Sequence, residues 1–343
     1  MSAVGVPSFD GLRVAVVGDL VADHYLRAEP RRLSREAPVM VLRHRSEETG
    51  AGGAANVARN LRALGSSVSL LGAVGRDLQG RELLRTLEAE GVELAGVRTV
   101  PGWTTPTKTR ILAAEARRFP QQVLRIDREP EAPLEAELRA LVAEELRRRQ
   151  GEFDALVVSD YGYGLVGSEL AGVAAELAEA AVAVVLDPRE QLQGFRGIDA
   201  LTPNVGELAR FTGRAPDSLD RARALREAAG ELLERVGSRW LLVTRGNLGM
   251  ALFGEGLEEA GVAVEASGCG DVTDVSGAGD SAASVFALAL AAGESPERAM
   301  RLANTASGLV VMENGTAVCS RVELEAALAT SPVPVRLGGG GPA

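Results

Sequence analysis

Arg13-Val14-Ala15-Val16-Val17-Gly18-Asp19 is a short apolar run with no polar alternation that halts at Gly-Asp. That is the pattern of a parallel strand buried on both faces and delivering an acid at its carboxyl end. The unit returns along the chain. Val68–Val74 stops at Gly75-Arg76-Asp77, 155–159 at Asp160, 182–186 at Asp187-Pro188-Arg189, and 241–244 at Arg245-Gly246. Ala200-Leu201-Thr202-Pro203-Asn204 leads into Val205-Gly206-Glu207-Leu208, and helix-period stretches separate the runs. Alternating strand and helix predicts a doubly wound α/β sheet flanked by helices, with the polar strand ends lining one crevice. Asp19, and Asp23 four residues on, are placed there to hydrogen-bond polyol hydroxyls; turn or cap aspartates are the plainer alternative.

Three segments break this rhythm. Residues 33–45, 105–112 and 122–127 alternate apolar with variable side chains, as exposed two-sided strands do. Strands that cannot join a buried parallel sheet predict a separate small β-layer acting as a lid. Its exposed edges invite a partner chain. The expected organisation is one domain over 12–330 with this lid inserted, and a flexible tail over 331–343 that contains Gly338–Gly341.

The chemistry concentrates in Asp274-Val275-Ser276-Gly277-Ala278-Gly279-Asp280, followed by the apolar run Ser281–Leu288. Small residues at a helix start leave backbone N–H groups free to close around an anion. Asp280 is itself anionic, so it suits taking a proton from a hydroxyl that attacks a phosphate better than holding a resting phosphate. Alone, the stretch reads equally well as a glycine turn with a first-turn acid. Gly50-Ala51-Gly52-Gly53-Ala54-Ala55-Asn56 is a second candidate: Gly52 and Gly53 permit close backbone approach, and Asn56 offers a donor and an acceptor to a sugar hydroxyl. Asn204 and Glu207 lie three apart after a strand end, an oxygen pair suited to a hydrated Mg²⁺ carrying phosphates, or else a capping box. Gly246 and Gly249, just after Thr244, either cradle a phosphate or turn a hairpin.

Composition narrows the partners. The 343 residues carry a net charge of −10 and only 3% aromatics, which argues against nucleic acid and anionic membranes. Two cysteines, Cys269 and Cys319, without CxxC spacing or clustered histidines, exclude a disulfide framework or zinc site. No secretory leader is visible at 1–10, and the Ala-rich run 170–186 is too polar for a membrane span, so a cytoplasmic protein is expected. Lys108 is the one lysine among 37 basic residues. Neither G-x-G-x-x-G after the first strand nor a Walker loop occurs, which removes a nicotinamide dehydrogenase and a P-loop kinase.

Taken together and in this order, Gly52-Gly53…Asn56, Asn204…Glu207 and Gly277-Ala278-Gly279-Asp280 resemble the ribokinase (PfkB) family of carbohydrate kinases over residues 12–330. The resemblance implies ATP as donor, Mg²⁺ held through water at Asn204 and Glu207, a monovalent cation as a further candidate, and dimerisation through the lid. It implies Asp280 as base, with the backbone amides from Gly277 to Asp280 as an anion hole. Thr244, Gly246, Gly249 and Asn304 would face the nucleotide; Asp23, Gly52, Gly53, Asn56 and Lys108 would face the sugar.

Four further stretches are similar to the branch of that family acting on the C1 hydroxyl of a heptose 7-phosphate: Gly18-Asp19…Asp23-His24-Tyr25, 33–39, 106–112 and 121–127. Arg110, Arg117 and Arg118 join Lys108 as candidates for the 7-phosphate. Many members of that branch carry a fused nucleotidyltransferase, so a stand-alone kinase is the expectation here. Two departures stand out: Tyr163 where relatives have lysine in Asp-Tyr-x-Lys-Gly, and Arg189 where they have lysine in Asp-Pro-Lys. Kinases of the same family acting on ribose, fructose or a fructose phosphate, and a non-catalytic sugar- or nucleotide-binding regulator on the same fold, are the competing readings.

Overall fold

The computed structural model describes residues 5–114, 120–268, 273–313 and 315–337. In chain order its strands are β1 (Arg13–Gly18), β2 (Leu20–Leu33), β3 (Met40–Gly53), β4 (Ser67–Gly75), β5 (Glu93–Val100), β6 (Thr107–Ala113) and β7 (Gln121–Arg128). There follow β8 (Ala155–Ser159), β9 (Ala183–Asp187), β10 (Ala200–Leu201), β11 (Trp240–Thr244), β12 (Met250–Gly254), β13 (Val262–Val264) and β14 (Val335–Arg336). A central sheet runs β14-β13-β12-β11-β10-β9-β8-β1-β4-β5, and a second, four-stranded sheet runs β3-β2-β6-β7.

From β5 to β11 neighbouring strands are parallel; β12, β13 and β14 close one edge antiparallel. The unbroken apolar runs exist because both faces of the sheet are covered. Val14 and Val16 pack with Phe286 and Leu61 on one side; Ala15 and Val17 pack with Leu156, Leu170 and Leu232 on the other. The fold is therefore the doubly wound sheet with a small second sheet that the sequence implies.

Four features differ from the sequence reading. The second sheet has four strands, because β2 begins at Leu20, directly after β1, and its buried start merges with the preceding apolar run. The segment 33–45 spans the end of β2, a turn closed by Ser34 N–H to Val39 O (2.8 Å), and the start of β3. β5 escapes detection: its burial is irregular, and it pairs only with β4 at the sheet edge. Within the supposed tail, Val335 and Arg336 extend the sheet by pairing with Ala263 and Val262. Residues 338–343 lie outside the described residues, as do Arg117, Arg118 and Cys269. Cys319 is buried and reduced, its thiol pushed up to about 12 by burial.

Candidate active site

The second sheet covers the carboxyl ends of the central strands, and the candidate residues meet in the cleft between them. Asp280 sits in the first turn of the helix Ala278–Ala291, whose cap, Gly277, is left-handed (φ 82°). A Cβ at Gly277 would lie 2.7 Å from the Asn56 amide nitrogen, so the position needs glycine both for its φ and for the close approach. The first intrahelical bond of this helix is Ser281 N–H to Gly277 O (2.9 Å). The Gly279 and Asp280 amides precede it and have no intrahelical acceptor.

Both oxygens of the Asp280 carboxylate are engaged. Asn56 Nδ2 donates to Oδ2 at 2.7 Å, and the Tyr161 hydroxyl donates to Oδ1 at 2.8 Å. Burial pushes the Asp280 carboxyl up to about 6, against these two hydrogen bonds, which pull it down. A carboxylate of that basicity holds a proton reversibly near neutral pH, as a general base requires. Asn56 thus supports Asp280 here, where sequence reasoning gave it a sugar hydroxyl.

Asp23 is also buried and pairs with Arg110, whose other terminal nitrogen reaches Ser276 Oγ at 3.3 Å. Gly52 pairs with Val21 across the β2–β3 ladder, diagonal to Asp23, and a Cβ there would sit 2.6 Å from Asp23 Oδ2. Gly53 caps the helix Ala54–Ala63 that carries Asn56. Asp19 does not reach for a ligand: it accepts the amides of Tyr161, Tyr163 and Leu165 at 2.9, 3.0 and 3.1 Å, ordering that loop. Asp160 likewise collects the amides of Gly162, Arg189, Glu190 and Gln191.

Three cavities adjoin across shared walls. The first, about 550 Å³, is lined by Lys108, Arg125, Tyr161, Tyr163 and Arg189. Tyr161 and Arg189 also line the second, about 120 Å³, with Asp187, Asn204, Glu207, Thr244, Gly279 and Asp280. Thr244 and Gly279 pass on to the third, about 310 Å³ and mostly apolar, with Gly246, Gly249, Met250, Ala278, Asn304 and Val311. Asn204 and Glu207 do form the capping box, Glu207 N–H to Asn204 Oδ1 at 2.9 Å and Asn204 N–H to Glu207 Oε2 at 2.8 Å. That box fixes both side chains at the mouth of the second cavity. Gly246 and Gly249 belong to the turn joining β11 to antiparallel β12, so the hairpin reading holds there. Asn304 donates to Glu265 O at 2.8 Å and so steadies the wall of the third cavity.

Sequence reasoning left Tyr161, Asp187 and Arg189 out of the site. All three follow the ends of recognised strands, which was the available signal. Asp187 is pushed well above the usual carboxylate range by burial and by neighbouring Asp280 and Glu207. The Lys108 ammonium lies 4.9 Å from the centre of the Tyr161 ring and the Arg189 guanidinium 5.2 Å from it. Desolvation lowers the Lys108 pKa.

The cleft thus sets an acid at a glycine-started helix between cavities on either side. The family profile described as pfkB family carbohydrate kinase matches residues 12–323, and the chain belongs to that family. It is a phosphotransferase with an alcohol acceptor. Among curated proteins it is 38% identical over 330 residues to the bifunctional protein HldE of Desulfatibacillum aliphaticivorans, covering 96% of this chain and 65% of that one. It is 39% identical over 324 residues to the bifunctional protein HldE of Alcanivorax borkumensis, covering 94% and 65%. The chain thus spans just under two thirds of the length of these relatives.

Its fold matches Arabidopsis thaliana ribokinase complexed with ribose and ATP, with a TM-score of 0.68 at 23% identity, covering 93% of this chain and 99% of that one. It also matches the tetrameric inhibited form of Escherichia coli phosphofructokinase-2, with a TM-score of 0.72 at 21% identity, covering 93% and 98%.

Proposed function

We propose that this kinase transfers the γ-phosphoryl of ATP to the C1 hydroxyl of D-glycero-β-D-manno-heptose 7-phosphate, giving the 1,7-bisphosphate from which an ADP-heptose is built. The observation that carries the reading is the cation set of the large cavity beside Asp280. Lys108 and Arg189 stand over an aromatic ring rather than against a carboxylate, while Arg125 is held by Asp127. Asp127, Glu129, Glu131 and Glu190 line the same cavity, yet of these only Asp127 pairs with one of its cations. An acceptor with a phosphate at its far end therefore supplies the partner that Lys108 and Arg189 do not have among the described residues; a free pentose or hexose does not. The likeness of the β2, β6 and β7 stretches to the heptose 7-phosphate branch supports the same substrate.

In this reading the apolar cavity takes the adenine and ribose, and the amides of Gly279 and Asp280 face the transferring phosphoryl oxygens. Asp280 takes the proton of the attacking hydroxyl as the new P–O bond forms and the bond to ADP breaks. Asp187 and Glu207 present oxygen donors, the chemistry Mg²⁺ prefers, with Asn204 holding Glu207 in place. When bound, Mg²⁺ would offset the charge of the phosphates. A monovalent activator belongs to the proposal too; one solved neighbour is phosphofructokinase-2 from Escherichia coli in complex with potassium.

The lid leaves Leu33, Met40, Leu124 and Ile126 exposed, which supports a homodimer formed through it. No described helix is long and apolar enough to cross a membrane. The cytoplasm is the compartment proposed.

An acceptor panel read by ADP release tests the reading. The heptose 7-phosphate should exceed ribose and fructose in kcat/KM by about 100-fold or more, the scale on which a shaped site rejects a molecule that leaves its charged groups unpaired. Fructose 6-phosphate carries a phosphate of its own, and its use in preference to the heptose would make this a fructose phosphate kinase. Equal use of an unphosphorylated sugar would contradict it. Nucleotide binding with no ADP release from any acceptor would favour the regulator.

A further inference from the structure

We propose that Tyr161 is a positioning residue for phosphoryl transfer: its hydroxyl aims the Asp280 carboxylate while its ring carries the Lys108 and Arg189 cations. The inference rests on Asp280 being the base. The geometry behind it is a single side chain with two engaged ends. The phenol donates to Asp280 Oδ1 at 2.8 Å and the Asn56 amide to Oδ2 at 2.7 Å, so the carboxylate plane is fixed from both sides and a second lone pair on either oxygen is left for an acceptor hydroxyl. The ring edge separates the large cavity from the small one and lines both. Its backbone amide is tied to Asp19 at 2.9 Å, so the ring cannot drift with the loop. The phenol remains a donor, because burial and the negative charges of Asp280, Asp187 and Asp23 disfavour its ionisation.

The charged groups that face Asp280 come from several elements: Asp23 on β2, Lys108 on β6 and Asp187 at the end of β9, besides Tyr161 itself. Of these, Tyr161 touches the carboxylate directly. Its hydrogen bond favours the charged carboxylate, so removing it raises the proton affinity of Asp280. Tyr161 links acceptor recognition to base orientation: a phosphate drawn to Lys108 and Arg189 presses on the ring that holds the base.

Tyr161→Phe keeps the ring and deletes the hydroxyl. The expected result, with the heptose 7-phosphate or whichever panel sugar turns over best, is a KM within about twofold of the parent. The plateau kcat should fall about tenfold, and the acidic limb of the pH–kcat profile should move up by about one pH unit, the scale of one charge-assisted hydrogen bond. Site-specific 3-fluorotyrosine at 161, a stronger donor of almost the same shape, should move the limb the opposite way. A purely structural role would lower thermal stability and leave the limb where it was. An unmoved limb in both proteins overturns the proposal. So does full turnover in Asp280→Asn, since Tyr161 would then have no base to aim; failure of the heptose substrate alone, with another sugar used, leaves the limb comparison decisive.

Discussion

The two sheets of this kinase are built on opposite patterns of burial, and the proposed active site lies where they meet. In the central sheet β1, β8 and β9 are covered on both faces, and the polar groups appear only at strand ends. In the lid sheet β7 is exposed along its whole length and the middle of β3 is exposed too. Burial in the lid concentrates at the start of β2 and the end of β3, with Tyr25, Ala28 and every third residue of β6 buried further along, and these positions include Asp23, Gly52 and Arg110. The central sheet thus supplies a rigid floor with helix-end amides, Asp280 and Arg189, and the lid adds Asp23, Lys108 and Arg110 from above. Rigid dipoles suit a transition state whose charge develops in a fixed place. Long charged side chains on a thin layer suit the recognition of an anionic acceptor.

That division can be broken first at the floor. Asp280→Asn removes the base and keeps its volume and its Asn56 neighbour, so turnover should fall by about 10³ to 10⁴, with a melting temperature close to the parent. ADP release under saturating substrates checks it; a loss under tenfold would move the base elsewhere.

Next comes the junction of floor and lid. Arg110→Ala strands the buried Asp23 carboxylate without its partner, and a loss of about 3–5 kcal/mol of stability is expected on the scale of broken buried pairs. Denaturant titration reads it, and Asp23→Asn combined with Arg110→Ala should recover part of the loss. Lys108→Gln should act on recognition alone, raising the acceptor KM about tenfold with kcat changed less, the sign of an interaction made equally in ground and transition states. Initial rates across acceptor concentration decide it; a fall in kcat at unchanged KM would make Lys108 a partner of the reacting phosphoryl.

The smallest effect belongs to the outer lid. Leu124 is 53% exposed, so Leu124→Ala should change monomer stability by no more than about 0.5 kcal/mol. Any larger consequence should appear in the oligomeric state, measured by sedimentation.

The same contrast explains what the sequence reveals. Strands covered on both faces must be apolar throughout, so β1, β4, β8, β9 and β11 stand out as runs, and their polar termini mark the crevice. The lid obeys no such rule. β2 is buried at Leu20–Asp23, half-buried through the middle and exposed at its end, so no period holds along it. Glycine and acid at the start of the helix Ala278–Ala291 are legible because backbone geometry demands them. Pairings between distant side chains are not: nothing in the sequence says that Asn56, 224 positions before Asp280, turns its amide to that carboxylate rather than to a ligand. Asp19 reads as a ligand residue for the same reason, since a strand-end aspartate looks alike whether it meets a hydroxyl or three loop amides.

A crystal structure with a non-hydrolysable ATP analogue and the heptose 7-phosphate bound together tests the central claim most directly. The account predicts the acceptor C1 oxygen within about 3.2 Å of an Asp280 carboxylate oxygen and the 7-phosphate against Lys108 and Arg189. A sugar seated with its C1 oxygen turned away from Asp280, or its phosphate on the side of the small acidic cavity, would contradict it.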